Sequence, residues 1–197
     1  MSWLGIIVTF ALVDNVVLAR LLGLCPCAGA PRTFRVILGV GICTTVLMAM
    51  SSLAAWALET LFLDPRDLGF LRIPCFVLAL ALLALLLESM ALRISPALLR
   101  AAGFSVRGVA VNCATLGVVL LVTLERLSAL ESLLAGLSAG CGFLLALTLM
   151  SAIRERLDAE RVPRSLRGLP LSLVSAGLVA LAFSAFDRVF LANLLGR

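Results

Sequence analysis

Long apolar runs without charge, separated by short clusters of arginine and acid, organise this chain. The uncharged runs are 36–58, 73–87, 108–124, 132–153 and 168–186. An interrupted apolar stretch from Met1 to Pro31 precedes them. A membrane-spanning helix needs about 20 apolar residues, within roughly 17–25. Each run fits or nearly fits that length, and the run from residue 73 reaches it by continuing past Glu88 to Leu92. The first stretch, Trp3 to Leu24, is apolar except for Asp14, Asn15 and Arg20. The pattern predicts an all-α integral membrane protein with six transmembrane helices in a single membrane domain over residues 1–197.

Composition agrees. The chain is 62% hydrophobic and 14% charged, where a soluble domain averages about 25% charged and 45–50% apolar residues. There is no His, so Ser–His–Asp or Cys–His catalysis and His-ligated zinc are excluded within this chain. The net charge of +5 comes from arginine, with no basic stripe interleaved with aromatics, so a nucleic-acid partner is not expected. The N-terminus lacks a basic region and Asp14 interrupts the apolar stretch behind it, so no cleaved signal peptide is expected. Most of the six Cys lie inside apolar segments, which argues against a disulfide framework.

Arginine also sets orientation. With six spans, one face carries Arg32, Arg35, Arg93, Arg100, Arg107, Arg154, Arg156, Arg161, Arg164 and Arg167. The other face has Arg66, Arg72, Arg126 and Arg197, with Arg188 near it. The positive-inside rule puts the first set in the cytoplasm and both termini outside.

The halves resemble each other weakly. Cys25 is followed four residues later by Gly29, and Cys113 four residues later by Gly117. Three spans per half is an odd number, so the second half enters the bilayer upside down relative to the first. This predicts two inverted three-helix repeats, about 1–100 and 101–197, with a site near the midplane where spans one and four are broken or short. Span one is interrupted by Gly23, Pro26 and Gly29, and span four is the short run from Gly108.

Each of those segments carries a cysteine. Pro26 disfavours helical geometry at Cys25, and non-helical backbone at membrane depth must be buried in protein or line a cavity. Cys113 falls in the first turns of a half-helix beginning after Gly108, where the positive dipole end favours thiolate. Two thiolates meeting at a pseudo-two-fold axis form half of a four-thiolate [2Fe–2S] site, the rest coming from a second, similar protein. The same spacing fits cysteines that simply pack as small apolar side chains, as Cys43, Cys75 and Cys141 are expected to do. Cys25-Pro26-Cys27 also fits a thiol–disulfide pair. Asp14 and Asn15 lie mid-span as candidates for an ion path or a helix break, while Glu88 is near enough to a helix end to reach the interface. Arg20 suits either an offset for thiolate charge or an interface.

The segment Asp14-Asn15-Val16-Val17-Leu18-Ala19-Arg20-Leu21-Leu22-Gly23-Leu24-Cys25-Pro26 resembles the first-span motif of the paired membrane subunits of the Rnf complex, relatives of those in the sodium-translocating NADH:quinone oxidoreductase. Ser95-Pro96-Ala97-Leu98-Leu99-Arg100-Ala101 and Asn112-Cys113-Ala114-Thr115-Leu116-Gly117-Val118 are nearer to the A-type member of that pair than to its paralogue, the E-type member. The resemblance implies that Cys25 and Cys113 ligate an intramembrane [2Fe–2S] cluster shared with the E-type paralogue, inside a complex with B-, C-, D- and G-type subunits in the bacterial inner membrane. It further implies electron transfer across the bilayer, coupled to Na⁺ or H⁺ transport, with no complete active site in this chain alone. The chain departs from the family at Asp14, where Asn is usual, at Cys27, where a bulky residue is usual, and before Asn112, where a proline is missing. Two other readings compete: a secondary transporter for a small solute or ion built on an inverted repeat, and a membrane thiol oxidoreductase using Cys25 and Cys27.

Overall fold

The computed structural model describes residues 3–13, 15–20, 22–23, 34–66, 69–94, 112–156 and 169–184. Regular structure among them is entirely helical. Helix α1 (Trp3–Val8) runs into a π-helical turn, Thr9–Val13. Helix α2 (Phe34–Leu58) ends in a π-helical turn, Glu59–Leu63. Short 3₁₀ turns at Asp64–Arg66 and Gly69–Leu71 then lead to α3 (Arg72–Ile94). Helices α4 (Cys113–Leu124), α5 (Ala129–Arg156) and α6 (Leu169–Ser184) complete the described chain.

Three stretches are long and apolar enough to cross a membrane: Ile37–Leu63, Gly69–Met90 and Ala129–Ile153. They coincide with the second, third and fifth spans read from the sequence. Cys113–Leu124 and Pro170–Phe183 are apolar but shorter. The first span is interrupted before Gly23, because its helical part stops at Val13 and turns begin at Val16.

Helix α5 sits at the centre and pairs antiparallel with α2. Gly41 faces Leu144, Thr45 faces Gly140, and Ala49 faces Gly136. A Cβ at Gly140 would lie 2.6 Å from the Thr45 Cα, so glycine sets how closely these helices approach. Without a hydrophobic drive between helices in lipid, such close contact between small residues is the main source of association. Hydroxyls inside α2 turn back onto their own helix: Thr44 donates to the Val40 carbonyl at 2.7 Å and Ser52 to that of Met48 at 2.7 Å. They therefore add no unsatisfied polar group to an apolar interface.

The principal core joins the first segment to α2, α4 and α5. Ile6, Phe10 and Val17 pack with Met48, Val118, Val122, Phe143 and Leu147. Helix α3 lies outside this core, with 17% of its most apolar window buried against 56% for α5. A bidentate ion pair, Arg72 to the buried Glu59, ties the start of α3 to the end of α2. Glu131 closes the start of α5, its Oε2 accepting from the Ser128 N–H at 3.0 Å and from the Ser128 hydroxyl at 2.9 Å.

Candidate functional site

Asn112 determines where α4 begins. Its backbone is extended (φ −98°, ψ 146°), and its Oδ1 accepts from the Ala114 N–H at 3.3 Å. An asparagine in this position satisfies one of the four backbone donors that every helix start leaves open. The helix therefore starts at Cys113, five residues beyond Gly108, the boundary that the sequence pattern suggests. Cys113 is the first helical residue and its side chain is exposed.

The broken first segment reaches this helix start. The Gly23 N–H donates to Cys113 Sγ at 3.0 Å, and the Cys113 thiol donates to Asn112 Oδ1 at 3.3 Å. Gly23 has φ +83°, a conformation other residues adopt only with strain. A Cβ there would also lie 2.8 Å from the Ala114 Cβ and 3.2 Å from Phe143 Cε2. Only glycine fits both the torsion and the space.

Asn15 produces the turn that brings Gly23 there. It is 1% exposed. Its Nδ2 donates to the carbonyls of Ala11 at 3.1 Å and Gly142 at 3.0 Å. Its Oδ1 accepts from the N–H groups of Val17 at 3.1 Å and Leu18 at 3.4 Å. Ala19 N–H to the Asn15 carbonyl and Leu22 N–H to that of Val16 continue the turn towards Gly23. Of the two roles open to Asn15, the structure assigns the helix break: both ends of its amide are committed to backbone. Glycine at 142 is required beside it, because a Cβ there would lie 2.7 Å from the Ala11 carbonyl oxygen.

The other candidates are dispersed. Cys43 and Cys75 are half-buried in α2 and α3, and Cys141 is exposed on α5. Arg20 is exposed at the end of the turn, and Glu88 is half-buried towards the end of α3. Asp14, Cys25 and Cys27 lie outside the described residues. No three His, Cys, Asp or Glu side chains among the described residues come together to hold a metal ion. What the structure does bring together is Cys113 and the segment two residues short of Cys25. Sequence reasoning missed Asn112 and the Gly23 N–H as parts of the site. The signal for Asn112 was present, an Asn immediately before an apolar run; nothing in the sequence marks the Gly23 contact, 90 residues away along the chain.

Long apolar helices, regular structure that is entirely helical among the described residues, and a broken span seated on the start of a short helix define a multi-pass membrane protein. Residues 3–190 match the family described as Rnf-Nqr subunit, membrane protein, and the chain belongs to that family. Among its relatives is the A-type subunit of the Na⁺-translocating ferredoxin:NAD⁺ oxidoreductase complex of Acetobacterium woodii, 37% identical over 95% of this chain and 97% of the relative. The A-type subunit of the ion-translocating oxidoreductase complex of Citrobacter koseri is 40% identical over 94% of this chain and 96% of its own. The Rhodobacter capsulatus protein of the same name is 39% identical over the same shares. The Asn112-Cys113 and Ser95-Pro96 segments are nearer to the A branch, and these relatives bear the name of that branch.

Proposed function

We propose that this chain is a membrane subunit of a redox-driven, ion-translocating complex of Rnf type, with Cys25 and Cys113 as thiolate ligands of a [2Fe–2S] centre shared with the E-type paralogue. The observation that carries the site is the Gly23 N–H on the Cys113 sulfur at 3.0 Å. Cys25 follows Gly23 by two residues, a length of chain that spans at most about 7 Å when extended. The two motifs that resemble the family thus meet through described backbone.

The donor set fits such a centre. The Cys113 side chain is exposed rather than packed, an N–H already donates to its sulfur, and the buried amide of Asn112 adjoins it. When bound, a [2Fe–2S] centre supplies one-electron transfer. This chain's part is to present sulfur at the start of α4, where the helix dipole stabilises negative charge, and to hold the first segment against it through Asn15 and Gly23. The E-type paralogue contributes the remaining ligands, and the B-, C-, D- and G-type subunits contribute the redox chemistry on either side. In this reading the chain has six spans in two inverted repeats, about 1–100 and 101–197, with both termini outside the bacterial inner membrane. The complex moves Na⁺ or H⁺. Membership of a family whose relatives are named as parts of a complex favours this over a solitary solute transporter.

The test is to co-express the chain with its paralogue and purify the complex. Iron content and a reduced-state EPR signal are expected in the wild type, and both are expected to fall sharply in Cys113→Ser. A Cys113→Ser complex with undiminished iron and signal overturns the ligand assignment.

A further inference from the structure

Glu59 and Arg72 stand where their own helices least favour them. Glu59 lies beyond the last residue of α2, towards the negative end of that helix, and Arg72 is the first residue of α3, at the positive end of its own. Glu59 is also 8% exposed and falls inside the apolar stretch Ile37–Leu63, where a charge is costly. The two side chains are therefore placed for each other and not for their helices. Arg72 Nε donates to Glu59 Oε2 at 3.2 Å, and its Nη2 donates to Oε1.

The pair stands at one end of a regular antiparallel contact between α2 and α3. Ala55 clusters with Phe76, Ser51 and Leu80 line the same narrow gap, and Leu47 packs on Ala84. Each step of four residues along α3 thus matches a step of four back along α2, beginning at Arg72 and Glu59. The apolar part of this contact does not define its own register. Phe76, Leu80 and Ala84 repeat at one-turn intervals, so sliding α3 by one turn still sets apolar side chains opposite α2. Lipid supplies no hydrophobic drive towards one setting, and only 17% of the most apolar window of α3 is buried. A slide in either direction breaks the ion pair and leaves Glu59 buried without Arg72.

We propose that Glu59 and Arg72 form a register lock, which fixes α3 along α2 and thereby seats Phe76 against α4. Phe76 is 1% exposed and clusters with Val119, in the helix that begins at Cys113. A slide of one turn moves Phe76 by about 6 Å along the helix axis and takes it off Val119. Buried ion pairs are weak sources of stability, and choosing one arrangement among near-equal ones is the role best attested for them. The lock operates whether or not Cys113 is a ligand.

Cysteine cross-linking in membranes that hold the assembled complex reads the register. Leu80→Cys is combined in turn with Ser51→Cys, which faces it, and with Leu47→Cys and Ala55→Cys, one turn to either side. A disulfide needs Cα atoms within about 7 Å, so a one-turn slide exchanges one link for another. With the ion pair intact, oxidation and mass spectrometry of linked peptides should favour the Ser51→Cys link by about tenfold or more. Glu59→Leu with Arg72→Leu removes both charges and leaves neither buried alone. In that uncharged background thermal stability should stay close to wild type, and the preference for one link should be lost. Exchanging the charges, Glu59→Arg with Arg72→Glu, should restore it. No preference with the ion pair intact, a preference that persists in the uncharged background, or one that the exchange does not restore each overturns the lock. An uncharged chain that fails to accumulate overturns it as well, by showing that the pair holds the fold together instead of choosing among registers.

Discussion

Four hydrogen bonds make Asn15 the residue on which the first segment turns, and they make its contribution measurable. Truncation strands the buried N–H groups of Val17 and Leu18 and removes the donors to Ala11 and Gly142. Each buried group left unsatisfied costs about 1–3 kcal/mol, so Asn15→Ala should destabilise the complex by about 2–4 kcal/mol. Asn15→Asp is the sharper variant: its carboxylate still accepts from the Val17 and Leu18 N–H groups, but its second oxygen faces the carbonyls of Ala11 and Gly142. Thermal unfolding in detergent should show both variants below wild type, and an Asn15→Asp complex as stable as wild type would sink this account. The sequence shows a polar pair inside an apolar stretch and leaves Asn15 open between an ion path and a helix break. What decides the matter is Gly142, 127 positions away, which no local pattern connects to Asn15. Cys113 is legible because its motif is specific, whereas the Gly23 N–H that meets its sulfur belongs to backbone and leaves no trace in side-chain identity.

The same contrast holds for whole helices. Charge-free runs outline α2, α3 and α5, because in a bilayer length and hydropathy are nearly sufficient to specify a spanning helix. The beginnings of short helices are less legible. Gly108 looks like the boundary of the fourth span because glycine loosens a helix, but the cap formed by Asn112 sets the start at Cys113 by satisfying the Ala114 donor. Glycines on different helices likewise do different work. Gly140 in α5 faces Thr45 with no room for a methyl group, whereas Gly177 in α6 has nothing within 4 Å of an added Cβ. Gly140→Ala should destabilise by about 1–3 kcal/mol, because α2 and α5 must separate to admit it. Gly177→Ala should stabilise by up to about 1 kcal/mol, through the helix propensity that glycine lacks. Melting temperatures of the two variants in the same detergent should move in opposite directions. A shared direction would mean that the spacing of α2 and α5 does not depend on glycine.

At the scale of the whole molecule, burial is graded from a packed centre to an apolar outside. Of the three long helices α5 is the most buried, while α3 exposes Ile73, Val77, Leu78 and Leu82, and α6 exposes Leu173 and Leu178. Surfaces of this kind suit lipid tails or neighbouring subunits, and Cys113 lies on the exposed side of its own helix start. In the proposed six-span reading, charge at and beyond the ends of these helices sets the orientation in the bilayer. In that reading ten arginines follow spans one, three and five, against Arg66, Arg72, Arg126 and Arg197, with Arg188 near them, on the opposite side. Arginine near span ends is retained in the cytoplasm, so an excess this large on short loops predicts both termini outside. Green fluorescent protein fused after Arg197 should therefore be dark and alkaline phosphatase at the same place active, because the first folds only inside the cell and the second only outside. Fusions between Arg161 and Arg164 should give the reverse pair. A fluorescent fusion at the C-terminus would place the arginine-rich segments outside and overturn the orientation.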